Sequence, residues 1–267
     1  MKFLVQEQPA FVYTGARPFD PAKPSAVFIH GAANDHSVWQ LQARYLAHHG
    51  WNALAVDLPG HGRSFGRPRE NIAAYVDWVI DLLDQGAITS AALIGHSMGS
   101  LIALEAALRY PVRVSHLCLI GTSLPMLVSD VLLEAAKHAP DEAFNMLTLW
   151  GHAPATQLGR SPIPGTWLPG SYRRLLQHTQ RGTIDVLPAD LGACHAYTVD
   201  EARLAQLAVP THVVAGTRDM MTPAKAGRAL AQKIAGAKFI LLEGAGHAMM
   251  QEAPALVTDA LKTLLSR

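Results

Sequence analysis

Cysteine is scarce in this chain: Cys118 and Cys194 are the only two. Cys118 sits inside the apolar run SHLCLIG, where a small buried hydrophobe fits better than a crosslink, so no disulfide framework is expected. An excess of one charge is missing too. Against 22 Lys and Arg stand 21 Asp and Glu, a formal net charge of +1, so no broad field draws the protein to nucleic acid, anionic lipid or a polyanion. A small neutral molecule is the expected partner, with the chain acting as a monomer or homodimer. No uncharged apolar run approaches the roughly 18 residues needed to span a bilayer, which argues against a membrane partner. The opening stretch MKFLVQEQPAFVYTG lacks the apolar core of a signal peptide and is broken at Pro9, so a cytoplasmic protein is expected. Also lacking are internal repeats, low-complexity tracts, a G-x-G-x-x-G or Walker pattern, and any His, Cys, Asp and Glu cluster with metal-ligand spacing. No cofactor and no metal are called for.

What is present is apolar: 49% of the 267 residues are hydrophobic, enough to bury one sizeable α/β domain or a domain with an insertion. Short runs read as buried strands: AVFIH (Ala26–His30), NALAV (Asn52–Val56), AALIG (Ala91–Gly95), HLCLIG (His116–Gly121), THVVAG (Thr211–Gly216) and KFILLEG (Lys238–Gly244). Between them, SVWQLQARYLAHHG, ENIAAYVDWVIDLLDQG, Gly99–Tyr110 and TPAKAGRALAQKIAG have helical spacing, several with glycine at the expected stop. Trp39, Trp51 and Trp78 sit in amphipathic stretches and read as core. Alternation of this kind predicts a mostly parallel, doubly wound sheet. FLVQEQ and AFVYTG add an antiparallel hairpin at its edge, for eight strands. The rhythm breaks between 123 and 207, where Pro125, Pro140, Pro154, Pro162, Pro164, Pro169 and Pro188 punctuate short helical pieces. Leu132, Leu133, Phe144, Leu147, Trp150, Trp167, Leu175 and Leu176 make that stretch too apolar for a linker. It is expected to be a helical cap (123–207) inserted into a core of 1–122 and 208–267, lying over the strand ends where such sheets bind ligands.

Chemistry concentrates at those ends. Gly95-His96-Ser97-Met98-Gly99 is G-x-S-x-G where a strand becomes a helix; the glycines allow a tight turn that presents the serine as a nucleophile. The helix start also supplies free N–H groups and a positive dipole end. A serine hydroxyl needs a base. Of 13 histidines, His247 follows the last strand in GAGHAMM, on the edge that carries Ser97; His30, His61 and His96 sit in turn motifs that suit structural roles. The imidazole needs a carboxylate to set its tautomer. Asp219, in AGTRDMMTP, follows a strand and precedes a helix, whereas Asp57 opens the turn DLPGHGRS, and Asp130, Asp190 and Asp200 belong to the expected cap.

With Ser97, Asp219 and His247 in that order, the chain resembles the α/β-hydrolase superfamily over almost its full length. FIHGAAN resembles the oxyanion loop, DLPGHGRS the turn after the next strand, IGHSMGS the nucleophile elbow, GTRD the acid loop and GAGHAMMQEAP the histidine loop. By that resemblance the oxyanion hole would use the backbone N–H groups of Ala32 and Met98, with Ala33 as the fallback donor. Ser97 in place of an aspartate argues against haloalkane dehalogenase and epoxide hydrolase chemistry. Ala32, Ala33 and Asn34, with Ala248 after the histidine, depart from the members that split carbon–carbon bonds.

A substrate pocket is expected from Asn34, Leu124, Met126, Trp150 and Met249, its methionines suiting a short or medium apolar group. Arg160, Arg173, Arg174 and Arg181 could receive a substrate carboxylate, but exposed helix charges explain them more simply. The resulting expectation is a serine esterase working through an acyl-enzyme. A lactonase, thioesterase, amidase, perhydrolase or carbon–carbon hydrolase would use the same triad, and a small-ligand receptor could be built on the same fold.

Overall fold

The apolar runs assemble into one eight-stranded sheet in a computed structural model that describes residues 1–160, 168–183 and 185–266. The strands are β1 (Lys2–Val5), β2 (Gln8–Tyr13), β3 (Ser25–Ile29), β4 (Asn52–Val56), β5 (Ala91–His96), β6 (Val114–Ile120), β7 (Thr211–Gly216) and β8 (Lys238–Leu242), in the order β1-β2-β4-β3-β5-β6-β7-β8. From β4 to β8 every neighbouring pair is parallel. The exception is the β1–β2 hairpin, which adds antiparallel to β4; its two turn residues, Gln6 and Glu7, both have positive φ, as a tight hairpin turn demands.

Strands β3, β4, β5 and β7 are buried at every position. Their continuous apolar runs, rather than alternation, follow from having helices on both faces. One face carries α1 (Gln40–Ala47), the short α11 (Met249–Glu252) and α12 (Pro254–Leu265), whose apolar side chains form a core with Phe28, Ile94 and Ile120. The other carries α2 (Ile72–Gln85), α3 (Met98–Arg109) and α10 (Ala224–Lys233) against Val27, Leu93 and Leu119. Trp39 and Trp78 are core residues as expected, while Trp51 is only partly buried against the first core. Cys118 and Cys194 are free and buried, and burial pushes the Cys118 thiol up to about 12.

Between β6 and β7 lie α4 (Asp130–His138), α5 (Pro140–Trp150), α6 (Pro154–Gln157), α7 (Leu168–Gln180), α8 (Val186–Ala196) and α9 (Glu201–Ala205). Pro140 and Pro154 stand in the first turns of α5 and α6, where a missing N–H loses nothing. Pro162, Pro164 and Trp167 lie outside the described residues. Leu132, Phe144, Leu175, Val186, Leu187 and Leu191 form a small core of their own, and Ala33, from the loop after β3, is buried in it. The inserted segment therefore packs on the carboxyl ends of the strands. Leu204 of α9 and the following Leu207 instead join the main core. Among the described residues no helix is long and apolar enough to cross a membrane.

Candidate active site

Ser97 occupies the sharp turn between β5 and α3 with φ 53° and ψ −121°, a conformation L residues rarely hold unless their surroundings impose it. Those surroundings are tight backbone contacts. A Cβ on Gly95 would fall 2.1 Å from the Gly99 carbonyl oxygen, and one on Gly99 would fall 2.2 Å from that of Ile29. Only glycine at both positions lets α3 start this close to β3 and β5. The Ser97 N–H donates to the Ile120 carbonyl (2.9 Å), and the Ser97 carbonyl accepts from the N–H and hydroxyl of Ser100 (2.8 and 2.6 Å).

His247 and Asp219 come from the loops after β8 and β7. The His247 Nδ1–H donates to Asp219 Oδ2 at 2.9 Å, which leaves Nε2 as the ring's basic nitrogen. Nε2 is buried and has no hydrogen-bond partner among the described residues, and His247 and Ser97 line the same cavity of about 500 Å³. Gly121 makes room for the imidazole: at φ 57°, its Cβ would sit 3.0 Å from His247 Cε1. Asp219 is 6% exposed and holds four donors. Oδ1 accepts from the N–H groups of Met221 (2.9 Å) and Thr222 (2.8 Å); Oδ2 accepts from the Thr222 hydroxyl (2.7 Å) as well as from His247. Burial alone would raise its carboxyl, but His247 and the Thr222 donors outweigh burial and hold it below the ordinary value. Thr222 escaped the sequence reading, although its position three residues after an aspartate in a loop is an Asx-turn signal.

The other histidines on this edge support loops. His30 Nε2 accepts from the Leu58 N–H (3.1 Å) while Nδ1–H donates to the Gly31 carbonyl (2.9 Å). His96 Nε2–H donates to the His247 carbonyl (2.9 Å). Burial, then neighbouring imidazoles, lowers His30 to about 4 and His96 to about 3, so both are neutral at pH 7. Asp35, His36 and Asp57 each bring one ligand atom within 4.8 Å of the others, but Asp57 already accepts from the N–H groups of His36 and Arg63 (2.7 and 2.8 Å) and anchors those loops.

Backbone N–H groups of Ala32 and Met98 carry no hydrogen bond among the described residues, and Ala32 lines the cavity. The fallback donor, Ala33, is committed elsewhere: its N–H donates to Asp190 Oδ2 at 2.8 Å. Asn34, Met126 and Trp150 line the cavity, joined by Met220, Met221 and Met250. Two expected pocket residues do not. Leu124 packs against the core on the α2–α3 side of the sheet, and Met249 is fully buried in the α1–α12 core. On a helix one position is a rotation of about 100°, so Met250 reaches the cavity wall where its neighbour was expected.

The arginines also divide. Arg160, Arg173 and Arg181 are exposed, as expected, but Arg174 is half-buried and lines the cavity. Its hydrogen bonds go to neutral amides, Asn34 Oδ1 at 3.3 Å and the Gln251 side chain. Burial lowers its guanidinium, a shift that Asp35 opposes.

Glu252 ties the histidine loop to the inserted segment. Its Oε2 accepts from the Gly246 N–H (2.7 Å) and Oε1 from the Ala153 N–H (2.9 Å) and Thr156 hydroxyl (2.5 Å).

Comparison with known proteins gives the chain its family. A family model described as "Alpha/beta hydrolase family" matches residues 26–260. A pimeloyl-[acyl-carrier protein] methyl ester esterase of Neisseria meningitidis is 32% identical over 241 residues, covering 82% of this chain and 84% of the relative. A 2-succinyl-6-hydroxy-2,4-cyclohexadiene-1-carboxylate synthase of Salmonella typhimurium is 28% identical over 256 residues, 93% of this chain and 96% of the relative. Among solved structures, the enol-lactonase from Burkholderia xenovorans superposes with a TM-score of 0.86 at 24% identity, covering 100% of both chains; at that identity the likeness speaks for the fold.

Proposed function

The chain belongs to the alpha/beta hydrolase family, and from that premise we propose that it hydrolyses carboxylic esters of small or medium size through an acyl-enzyme on Ser97. The observation that supports this reading is that His247 and Ser97 line one cavity while Asp219 holds the His247 Nδ1 and no described residue bonds its Nε2. His247 takes the Ser97 proton as the hydroxyl attacks the ester carbonyl. The N–H groups of Ala32 and Met98 receive the negative charge on the former carbonyl oxygen. His247, now an imidazolium stabilised by Asp219, protonates the leaving alkoxide, and the acyl group remains on Ser97. Water then enters as His247 removes its proton, and as the second tetrahedral intermediate collapses His247 passes that proton to the departing Ser97 oxygen, releasing the acid and the free serine.

In this reading the segment between β6 and β7 acts as the cap, and its Met126 and Trp150 help give the cavity an apolar wall for the acyl or alcohol group. A cyclic ester fits the same chemistry, since attack opens the ring and leaves the alcohol attached. The test is turnover of p-nitrophenyl esters from acetate to long-chain acyl groups, with Ser97→Ala alongside. Repeated turnover that peaks at short or medium chains and vanishes in a folded Ser97→Ala protein is expected. Activity that survives the substitution overturns the assignment. A single turnover with product held on the protein would instead mark a receptor.

A further inference from the structure

The loop assigned to the oxyanion is held by the inserted segment as well as by the core. Two peptide planes matter. In the Gly31–Ala32 peptide, the Gly31 carbonyl accepts from the Asn34 N–H (3.2 Å) and from His30 Nδ1–H (2.9 Å). A trans peptide points its N–H opposite its carbonyl, so these bonds aim the Ala32 N–H away from them. The next plane, Ala32–Ala33, is gripped at both ends: the Asn34 amide donates to the Ala32 carbonyl (3.0 Å), and the Ala33 N–H donates to Asp190 Oδ2 (2.8 Å). Ala33 itself sits at φ 51°, a left-handed conformation that an alanine keeps only under restraint. His178 of α7 adds a second restraint from the inserted segment, donating from Nε2 to the Ala33 carbonyl at 2.9 Å.

Asp190 belongs to α8, has no exposed surface, and draws donors from three parts of the core. Besides Ala33, Oδ2 lies 2.7 Å from His61 Nε2, and Oδ1 accepts from the Tyr75 hydroxyl at 2.6 Å. The other nitrogen of His61 faces the Pro59 carbonyl at 3.0 Å. A carbonyl can only accept, and an ionised carboxylate can only accept, so both ring nitrogens donate and the pair is imidazolium against carboxylate. Burial alone would lower His61 and raise Asp190; each partner's charge outweighs burial at the other, leaving His61 raised and Asp190 lowered.

We propose that Asp190 is a positioning residue for catalysis: by fixing the Ala32–Ala33 peptide it keeps the Ala32 N–H aimed at the reacting oxygen, which makes the inserted segment part of the oxyanion hole as well as a cover. This rests on the assignment of Ala32 as an oxyanion donor. An isosteric Asp190→Asn variant keeps one acceptor but loses the charge and presents an NH2 group to donors, so the loop loosens without a cavity being made.

The experiment compares wild type, Asp190→Asn, Asp190→Ala and Tyr75→Phe for ester turnover, inhibition by an alkyl trifluoromethyl ketone and thermal melting. The ketone adds to an active serine and places an oxyanion in the hole. Losing an oxyanion donor outright costs about 100- to 1000-fold in rate; misaiming one is expected to lower kcat about tenfold in Asp190→Asn and more in Asp190→Ala. KM should stay within about threefold, while ketone affinity falls in step with kcat. Tyr75→Phe removes a donor from the same carboxylate without touching Ala33; it should lower the melting temperature but leave kcat within about twofold. Unchanged kcat and ketone affinity in a folded Asp190→Asn protein would overturn the proposal. Equal kcat losses in Tyr75→Phe would do so as well, since they would show general loosening. Wild-type protein that neither turns over esters nor binds the ketone would refute the esterase reading itself, and this inference with it.

Discussion

Replacing Thr222 with valine removes one hydroxyl from the acid loop and almost nothing else. The side chain is buried, and its hydroxyl donates to Asp219 Oδ2 at 2.7 Å while its oxygen lies 3.1 Å from His247 Nδ1. Valine leaves Oδ1 with its two backbone donors but leaves Oδ2 with His247 alone. A hydrogen bond to a charged group contributes about 1.5–3 kcal/mol, and each 1.36 kcal/mol in the barrier is tenfold in rate. If that stabilisation were needed only in the transition state, kcat/KM would fall by about 10- to 150-fold. Asp219 is already ionised and paired before the reaction starts, so part of the loss is shared with the ground state, and a fall of about tenfold is expected. Steady-state hydrolysis of a p-nitrophenyl ester reads the loss. A change under twofold would show that the hydroxyl only fills space. A loss near 10⁴-fold, the scale seen when a triad carboxylate loses its charge, would show that Thr222 has a role the geometry does not account for.

Other substitutions probe the remaining walls of the site. Gly121→Ala puts a Cβ 3.0–3.1 Å from the His247 ring at φ 57°; a left-handed alanine costs about 1–2 kcal/mol, so a lower melting temperature and an at least tenfold lower kcat are expected, and full activity would contradict the tight packing. Arg174→Met removes a guanidinium whose hydrogen bonds, among the described residues, go to neutral amides. Wild type should cleave half-esters of dicarboxylic acids in preference to the matching diesters, and the variant should lose that preference while keeping diester turnover; equal losses on both would make Arg174 merely structural. Acid should weaken the fold before the carboxylates titrate. His30 and His96 are held at about 4 and about 3 in the folded state, against about 6.5 when unfolded. Between about pH 6 and 4.5 these two rings alone let the unfolded chain bind about two more protons, and their contribution to stability should fall by about 3 kcal/mol per pH unit as pH drops. Urea midpoints that stay flat across that window would show that both rings already carry protons in the folded protein.

Much of this protein is local in its logic. Strands β3 to β7 are legible because each is a short apolar run ending in a glycine or a polar loop, and a sheet buried on both faces needs nothing more specific. The strained turn at Ser97 is legible because Gly95, Ser97 and Gly99 act on one turn, and the loops that carry Asp219 and His247 are legible by their place after strands. Thr222 and Met250 lie within three residues of positions singled out from sequence, yet side-chain direction settled their roles. Asp190 and Arg174 were harder still. Asp190 meets the Ala33 N–H 157 residues away, and Arg174 meets Asn34 across 140. Nothing in the neighbourhood of either residue distinguishes it from a surface charge.

The division follows from range. Backbone conformation and apolar period act over a few residues, so the sequence by itself determined the order of strands and helices, the strained turn at Ser97 and the loops that carry Asp219 and His247. Hydrogen bonds and burial act between whatever the fold brings within 3 Å. The tertiary structure alone therefore decided which carboxylates are buried with partners, which arginine faces the cavity, and that a residue of the inserted segment holds the loop after β3.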